Sequence, residues 1–158
     1  DDLYKAWKNN TLHRNFMGYT TQNTSMLLGL GVSAISDTGD AFAQNIKTLH
    51  DYYAAIEKDE LPVQKGYFLN DEDLAFRRYI LNISCQGKTT FLENHLSLLE
   101  TYTFPELEKL AADGLILYND KGLSITELGQ NFIRNICKAF DLHLLRNTQA
   151  KPIFSKAI

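Results

Sequence analysis

Thr103-Phe104-Pro105-Glu106-Leu107-Glu108-Lys109-Leu110-Ala111-Ala112-Asp113-Gly114, followed directly by Leu115-Ile116-Leu117-Tyr118-Asn119-Asp120-Lys121-Gly122-Leu123-Ser124-Ile125, is the stretch on which the fold reading turns. Thr103 to Glu106 has the form of a capping box, in which the Thr and Glu side chains satisfy the free amides of a helix start. The helix it opens is short and stops at Gly114. Residues 115–118 and 123–125 are apolar runs joined by Asn119-Asp120-Lys121-Gly122, whose residue types are those of a hairpin turn. Thr126 then caps a long helix with Leu128, Phe132, Ile133, Ile136, Phe140 and Leu144 on one face.

Working upstream, residues 91–99 read as a further short helix. Before it, Asn70 caps a helix with Asp71, Glu72 and Asp73 in its first turn and Leu74, Phe76, Tyr79, Ile80 and Ile83 on its apolar face, ending near Gln86-Gly87. Residues 43–58 show Ile46, Leu49, Tyr53 and Ile56 at spacings of three and four, which predicts an amphipathic helix broken by Leu61-Pro62. The order helix, helix, hairpin, helix is that of a winged-helix module, whose helix before the hairpin would read the major groove of DNA. Here that helix carries Glu106, Glu108 and Asp113 against Lys109, so phosphates are repelled and the module is read as structural.

The first 45 residues differ in character, being rich in Gly, Ser and Thr. A short helix end is expected within residues 3–10, and the apolar run of residues 26–35, bounded by polar residues, predicts a buried strand. The expected class is therefore α+β and mostly α. Residues 1–45 would be the edge of one domain, with one or two strands, and residues 46–158 a helical, winged-helix-like domain.

The chain has 158 residues, 44% of them hydrophobic, and a net charge of −3, which suits a globular protein with no overall field to attract nucleic acid or anionic lipid. No apolar run approaches the roughly 20 residues that span a bilayer. The start, Asp-Asp-Leu-Tyr-Lys, has neither Met nor a secretory signal and is expected to be a boundary inside a longer protein. Cys85 and Cys137 lie far apart within apolar helical patterns, as expected of reduced core thiols in the cytoplasm. His13, His50, His95 and His143 match no metal spacing.

Two segments carry a resemblance. Arg14-Asn15-Phe16-Met17-Gly18-Tyr19-Thr20-Thr21-Gln22 is followed by Leu27-Leu28-Gly29-Leu30-Gly31-Val32-Ser33-Ala34-Ile35-Ser36, then by Gly39-Asp40 and Ala43-Gln44-Asn45. Arg134-Asn135-Ile136-Cys137, Phe140-Asp141 and Phe154-Ser155 continue the pattern. The chain resembles the oxygen-independent coproporphyrinogen III oxidases, radical S-adenosylmethionine enzymes of haem synthesis, along nearly its whole length.

The resemblance implies an enzyme that removes two propionate carboxylates of coproporphyrinogen III as carbon dioxide, giving protoporphyrinogen IX. In that family a Cys-x3-Cys-x2-Cys motif holds a 4Fe–4S cluster, and S-adenosylmethionine bound to it supplies the radical chemistry. With two separated cysteines, this chain is expected to be the C-terminal piece cut away from the cluster-binding part and inactive alone, holding neither cluster nor cofactor by itself. Residues 1–45 would close the barrel-like catalytic domain and residues 46–158 would form a lid. Ile35 matches an isoleucine that contacts a second S-adenosylmethionine, and Phe16-Met17 matches a phenylalanine–glutamine pair near the same site. Met17 cannot reproduce the amide's donor and acceptor. Arg14, by two-point hydrogen bonding, and Tyr19 are candidates to face the substrate, with ordinary surface and strand roles as the alternatives. The implied partners are coproporphyrinogen III and the upstream catalytic domain, with no nucleic acid or membrane. Apolar surface around residues 27–35 would favour dimers of the isolated chain. The alternative functions are a haem- or porphyrin-binding carrier that kept the fold without the chemistry, and a winged-helix regulator.

Overall fold

The structure, a computed structural model, describes residues 1–147. Phe154-Ser155 lies outside them. The chain packs as two units, Asp1–Ala75 and Phe76–Ile158. This packing division differs from the compositional shift near Asn45, which falls at the end of a strand in the first unit.

In the first unit, α1 (Asp2–Lys8) starts on Asp1, whose carboxylate accepts from the amide of Leu3. Strands β1 (His13–Asn15) and β2 (Gly18–Thr20) form a tight antiparallel hairpin with Phe16-Met17 at its tip. Asn15 Oδ1 accepts from the Met17 amide at 2.9 Å, the local bond that Asn offers a turn. Strands β3 (Ile35–Asp37), β4 (Ala41–Asn45) and β5 (Val63–Phe68) make an antiparallel sheet in that order, with α2 (Leu49–Ile56) in the β4–β5 connection.

The fold mixes helices and strands, as expected of the class, with strands in three separate antiparallel sheets among the described residues. Several expectations are corrected here. Residues 26–35 are not a buried strand. Leu27 makes one bridge to Asp37, Ile35 opens β3, and the remainder is an irregular segment on which Leu28 and Leu30 are exposed, Leu30 at 91%. The helix read across residues 43–58 begins only at Leu49. Asn45 still belongs to β4, and the Ile46 amide bonds the Pro62 carbonyl instead of opening a helix. Of α2 only Ala55 is buried, while Leu49, Tyr53 and Ile56 are exposed. Strand β5 has no periodicity to detect, because every residue in it is exposed.

Helix α3 (Asp71–Gln86) begins as expected. The Asp73 amide bonds Asn70 Oδ1 at 2.9 Å, and the Asn70 amide returns the bond to Asp73 Oδ2 at 3.1 Å, a reciprocal cap. Gly87, at φ +68°, ends it.

The second unit is built on an aromatic hub. The ring of Tyr79, 1% exposed, meets Phe76, Phe91 and Phe140 at 5.5, 5.8 and 5.9 Å between centroids. Ile83, Leu99, Leu107, Ile116 and Ile136 are the fully buried aliphatic side chains around it. Burying each such aliphatic side chain contributes about 1.5–3 kcal/mol.

The short strand β6 (Lys88–Thr90) was not foreseen. It pairs with β8 (Gly122–Ile125), which in turn pairs with β7 (Ile116–Asn119), giving the order β6-β8-β7. The hairpin turn is as read, with Asn119 Oδ1 accepting from the amides of Lys121 and Gly122.

Between β6 and β7 the chain is helical almost without a break. A 3-10 turn (Glu93–His95), α4 (Leu96–Leu98), a π-helical turn (Leu99–Thr103) and α5 (Phe104–Ala112) run on. The capping box expected at Thr103 is therefore absent. Thr103 lies inside this run, its side chain makes no cap bond, and it is fully buried. Pro105 has no amide to give to the preceding turn, and the wider π turn takes up that defect where a sequence reading sees a helix start.

The long helix after Thr126 is also broken. Thr126 Oγ1 does accept from the Gly129 amide at 3.1 Å, but it also donates to the Gly114 carbonyl at 2.7 Å, tying the segment to the hairpin. Residues 128–132 follow a 3-10 path, and only glycine fits at 129, where a β-carbon would collide with the Leu115 carbonyl. Helix α6 (Ile133–Lys138) follows, and Asp141 caps a separate α7 (Leu142–Arg146) by accepting from Leu144 at 2.9 Å.

Candidate functional site

The residues singled out by sequence all lie in the first unit, and β3–β4 relates two of them. Ile35 stands opposite Gln44 and Asp37 opposite Phe42, so the side chains of Ile35 and Phe42 share one face of the sheet. The Phe16 ring, at the tip of the β1–β2 hairpin, packs edge-on against Phe42 with centroids 5.0 Å apart. Diagonal neighbours on such a face have their β-carbons about 7–8 Å apart, so Phe42 links Phe16 to the neighbourhood of Ile35. Met17 is 89% exposed beside Phe16.

Arg14 and Tyr19 are directly opposed in the hairpin, and the guanidinium lies 5.6 Å from the centre of the Tyr19 ring. Such a contact is worth about 0.5–1 kcal/mol at an exposed site. Arg14 makes no ion pair among the described residues, so the structural ion pair that would have explained it is not found there. Its fork of donors remains available to a carboxylate.

The segment running from Leu27 to Ser33 has an organisation that sequence reasoning missed. Its odd-numbered residues are bonded inward. The amides of Leu27, Gly29, Gly31 and Ser33 donate to the Asp37 carbonyl, Ser36 Oγ, Tyr52 Oη and the Ile46 carbonyl respectively. The carbonyl of Leu27 accepts from the Asp37 amide, those of Gly29 and Gly31 from Asn45 Nδ2, and that of Ser33 from Gln44 Nε2. The even-numbered residues Leu28, Leu30 and Val32 carry no hydrogen bond on either backbone group among the described residues. The run is thus an extended edge in which side chains replace much of a neighbouring strand. Gly29 is required by close approach, because a β-carbon there would lie 2.7–2.8 Å from the backbone of Ile35. The signal in the sequence was polar: Ser36, Gln44, Asn45 and Tyr52 flank a Gly-Leu-Gly run whose amides and carbonyls need partners.

This arrangement offers exposed apolar side chains beside open backbone donors and acceptors. No group of three or more His, Cys, Asp or Glu side chains is gathered among the described residues. Cys85 is buried, and Cys137 lies 3.3 Å from Ser84 Oγ within the second unit. Among the described residues no helix is long and apolar enough to cross a membrane.

In the second unit, an open groove of about 520 Å³ lies against β6-β8-β7, with Lys88, Thr90, Leu117, Asn119 and Ser124 in its lining. Helix α5 has its one cation neutralised, since Lys109 Nζ is 2.6 Å from Glu106 Oε1.

No protein-family model matches the chain. Curated relatives do. The chain is 40% identical over its whole length to the oxygen-independent coproporphyrinogen III oxidase of Synechocystis sp., covering 36% of that protein. It is 38% identical over its whole length to the enzyme of the same name from Escherichia coli, again covering 36%. The oxidase of that name from Thermostichus vulcanus is 35% identical, with all of this chain matched to 50% of its length. Among solved structures, the coproporphyrinogen III oxidase of Escherichia coli, a radical SAM enzyme, superposes with a TM-score of 0.79 at 38% identity, covering 91% of this chain and 35% of that one. The chain spans about a third of the length of most of these relatives.

Proposed function

We propose that this chain, homologous over its whole length to the C-terminal region of oxygen-independent coproporphyrinogen III oxidases, serves an enzyme that oxidatively decarboxylates two propionates of coproporphyrinogen III to give protoporphyrinogen IX. The observation that supports the reading is the match to these oxidases, over the whole chain in sequence and over 91% of it in fold. When bound, a 4Fe–4S cluster with S-adenosylmethionine supplies the radical chemistry, and the cluster belongs to a part of the protein outside this chain. Alone, the chain is inactive.

The chain's own residues bind and orient. Ile35, with Phe16 and Met17, contacts a second S-adenosylmethionine. The sharing of one sheet face by Ile35 and Phe42, and the packing of Phe16 on Phe42, support this. Arg14 receives a propionate carboxylate, supported by its freedom from any ion pair among the described residues, and Tyr19 holds the guanidinium in place through its ring. Residues 1–45 close the catalytic domain and residues 46–158 form the lid. The succession α3, β6, α4–α5 and β7–β8 is read as winged-helix-like and structural, because α5 and the residue that ends it present Glu108 and Asp113 to any phosphate while Lys109 is already paired. The protein is placed in the cytoplasm. An isolated chain exposes Leu28, Leu30, Leu49, Tyr53 and Ile56 and associates into dimers.

The test is the complete reading frame and its metal content. A Cys-x3-Cys-x2-Cys motif upstream of Asp1, with about four irons and four sulfides per chain after anaerobic reconstitution, is expected. Absence of the motif overturns the enzyme assignment.

A further inference from the structure

We propose that Asn45 is a positioning residue, a side-chain substitute for a missing neighbouring strand, which holds residues 27–33 so that their open backbone edge faces S-adenosylmethionine. The inference rests on the reading above that Ile35 and the segment before it contact that cofactor.

Asn45 is buried, and its side-chain nitrogen and backbone amide are committed to this one segment. Nδ2 donates to the Gly29 carbonyl at 3.1 Å and to the Gly31 carbonyl at 2.9 Å, and its backbone amide donates to the Ala34 carbonyl at 2.9 Å. Two donors on one nitrogen thus pin two carbonyls spaced two residues apart, which is what a partner strand would do. Because both carbonyls point inward, the peptide groups of Leu28, Leu30 and Val32 are left to point outward.

The other bond to these carbonyls, from the Ala34 amide to the Gly31 carbonyl, is longer at 3.4 Å. Gly31 has φ +100°, a conformation from which a glycine peptide turns over at little cost. Its amide is held by Tyr52 Oη at 3.2 Å, and the amide of Gly29 by Ser36 Oγ at 3.0 Å, but neither bond touches the carbonyls. Asn45 also sits at the one irregularity in the β4–β5 register, between Gln44 and Asn45, where the strand is re-aimed. Asn45→Asp keeps the shape of the side chain and removes both donors. Its carboxylate would face two carbonyl oxygens, and relief comes by turning the glycine peptides, which reverses donors and acceptors along the open edge.

The experiment uses the full-length protein, reconstituted with its cluster under anaerobic conditions, and counts bound S-adenosylmethionine by equilibrium dialysis. The change in the cluster's electron paramagnetic resonance signal on cofactor addition is followed in parallel. The wild type is expected to bind two equivalents per chain. Asn45→Asp is expected to bind one, with the spectroscopic change intact and the circular dichroism spectrum unaltered. Asn45→Ser, which retains one donor, covers the case in which Asn45→Asp does not fold, and is expected to weaken the second equivalent by about tenfold. Two equivalents bound by the wild type and equally tightly by the folded variant overturn the role of Asn45 while leaving the cofactor reading in place. A single equivalent bound by the wild type overturns that reading and the role of Asn45 with it.

Discussion

Replacing Thr103 by Val should stabilise the second unit. Thr103 is fully buried in the π-helical turn, and its Oγ1 has no hydrogen-bond partner. A buried hydroxyl without a partner costs about 1–3 kcal/mol, and an apolar group of the same shape recovers much of it. Valine supplies nearly that shape, with a slightly larger methyl in place of the hydroxyl. A gain of about 1–2 kcal/mol is therefore expected, roughly 4–16 °C in the melting temperature of a unit of this size. Thr103→Ser sharpens the test, since it keeps the orphaned hydroxyl and loses the methyl, at a cost of about 1 kcal/mol. Urea unfolding followed by tryptophan-independent circular dichroism at 222 nm reads both variants against the wild type. The reasoning is refuted if Thr103→Val is less stable than the wild type while Thr103→Ser is unchanged, because the hydroxyl would then be contributing a bond.

Two further changes probe the hub and the site. Tyr79→Phe leaves the Leu92 amide, 3.2 Å from the Tyr79 hydroxyl, without its acceptor and removes the 2.9 Å bond to His95 Nδ1, so a loss of about 1–3 kcal/mol in urea at pH 8 is expected. Burial pushes the Tyr79 phenol above its ordinary value of 10.0, so this group's stabilisation is intact below pH 10 and falls as pH rises through the folded-state value; unfolding curves from pH 8 to 11 should show that decline in the wild type and a flatter limb in the variant. Gly29→Ala forces a β-carbon to within 2.7 Å of the Ile35 carbonyl oxygen and should destabilise the first unit by about 1–3 kcal/mol, with faster amide exchange at Gly31 and Ser33 than in the wild type.

How much of this was legible depended on where each residue's partner lay. Asn70 and Asp73 satisfy one another three residues apart, and Asn119 bonds its own turn, so α3 and the hairpin could be read locally. Thr103 has the residue types of a cap, yet the helical run already in progress and the missing amide of Pro105 give it another place, a tertiary outcome that no local motif encodes. Strand β5 is an edge with every residue exposed, and β6 is three residues long, so neither displays a period. Residues 26–35 were apolar enough to be a strand, but at Gly29 and Gly31 their partners are Ser36, Asn45 and Tyr52 side chains in place of a paired strand. Phe16 and Ile35 were found through likeness to a family. The packing of Phe16 on Phe42 and the cross-strand place of Ile35 became visible only with the β3–β4 register.

The central claim is tested most directly by carbon dioxide release and protoporphyrinogen formation from the protein expressed from its complete reading frame, reconstituted with its cluster under anaerobic conditions and given S-adenosylmethionine and coproporphyrinogen III. The account predicts two carbon dioxide molecules per protoporphyrinogen IX formed. Stoichiometric porphyrinogen binding with an intact cluster, normal cofactor cleavage and no carbon dioxide would contradict it and point to a carrier.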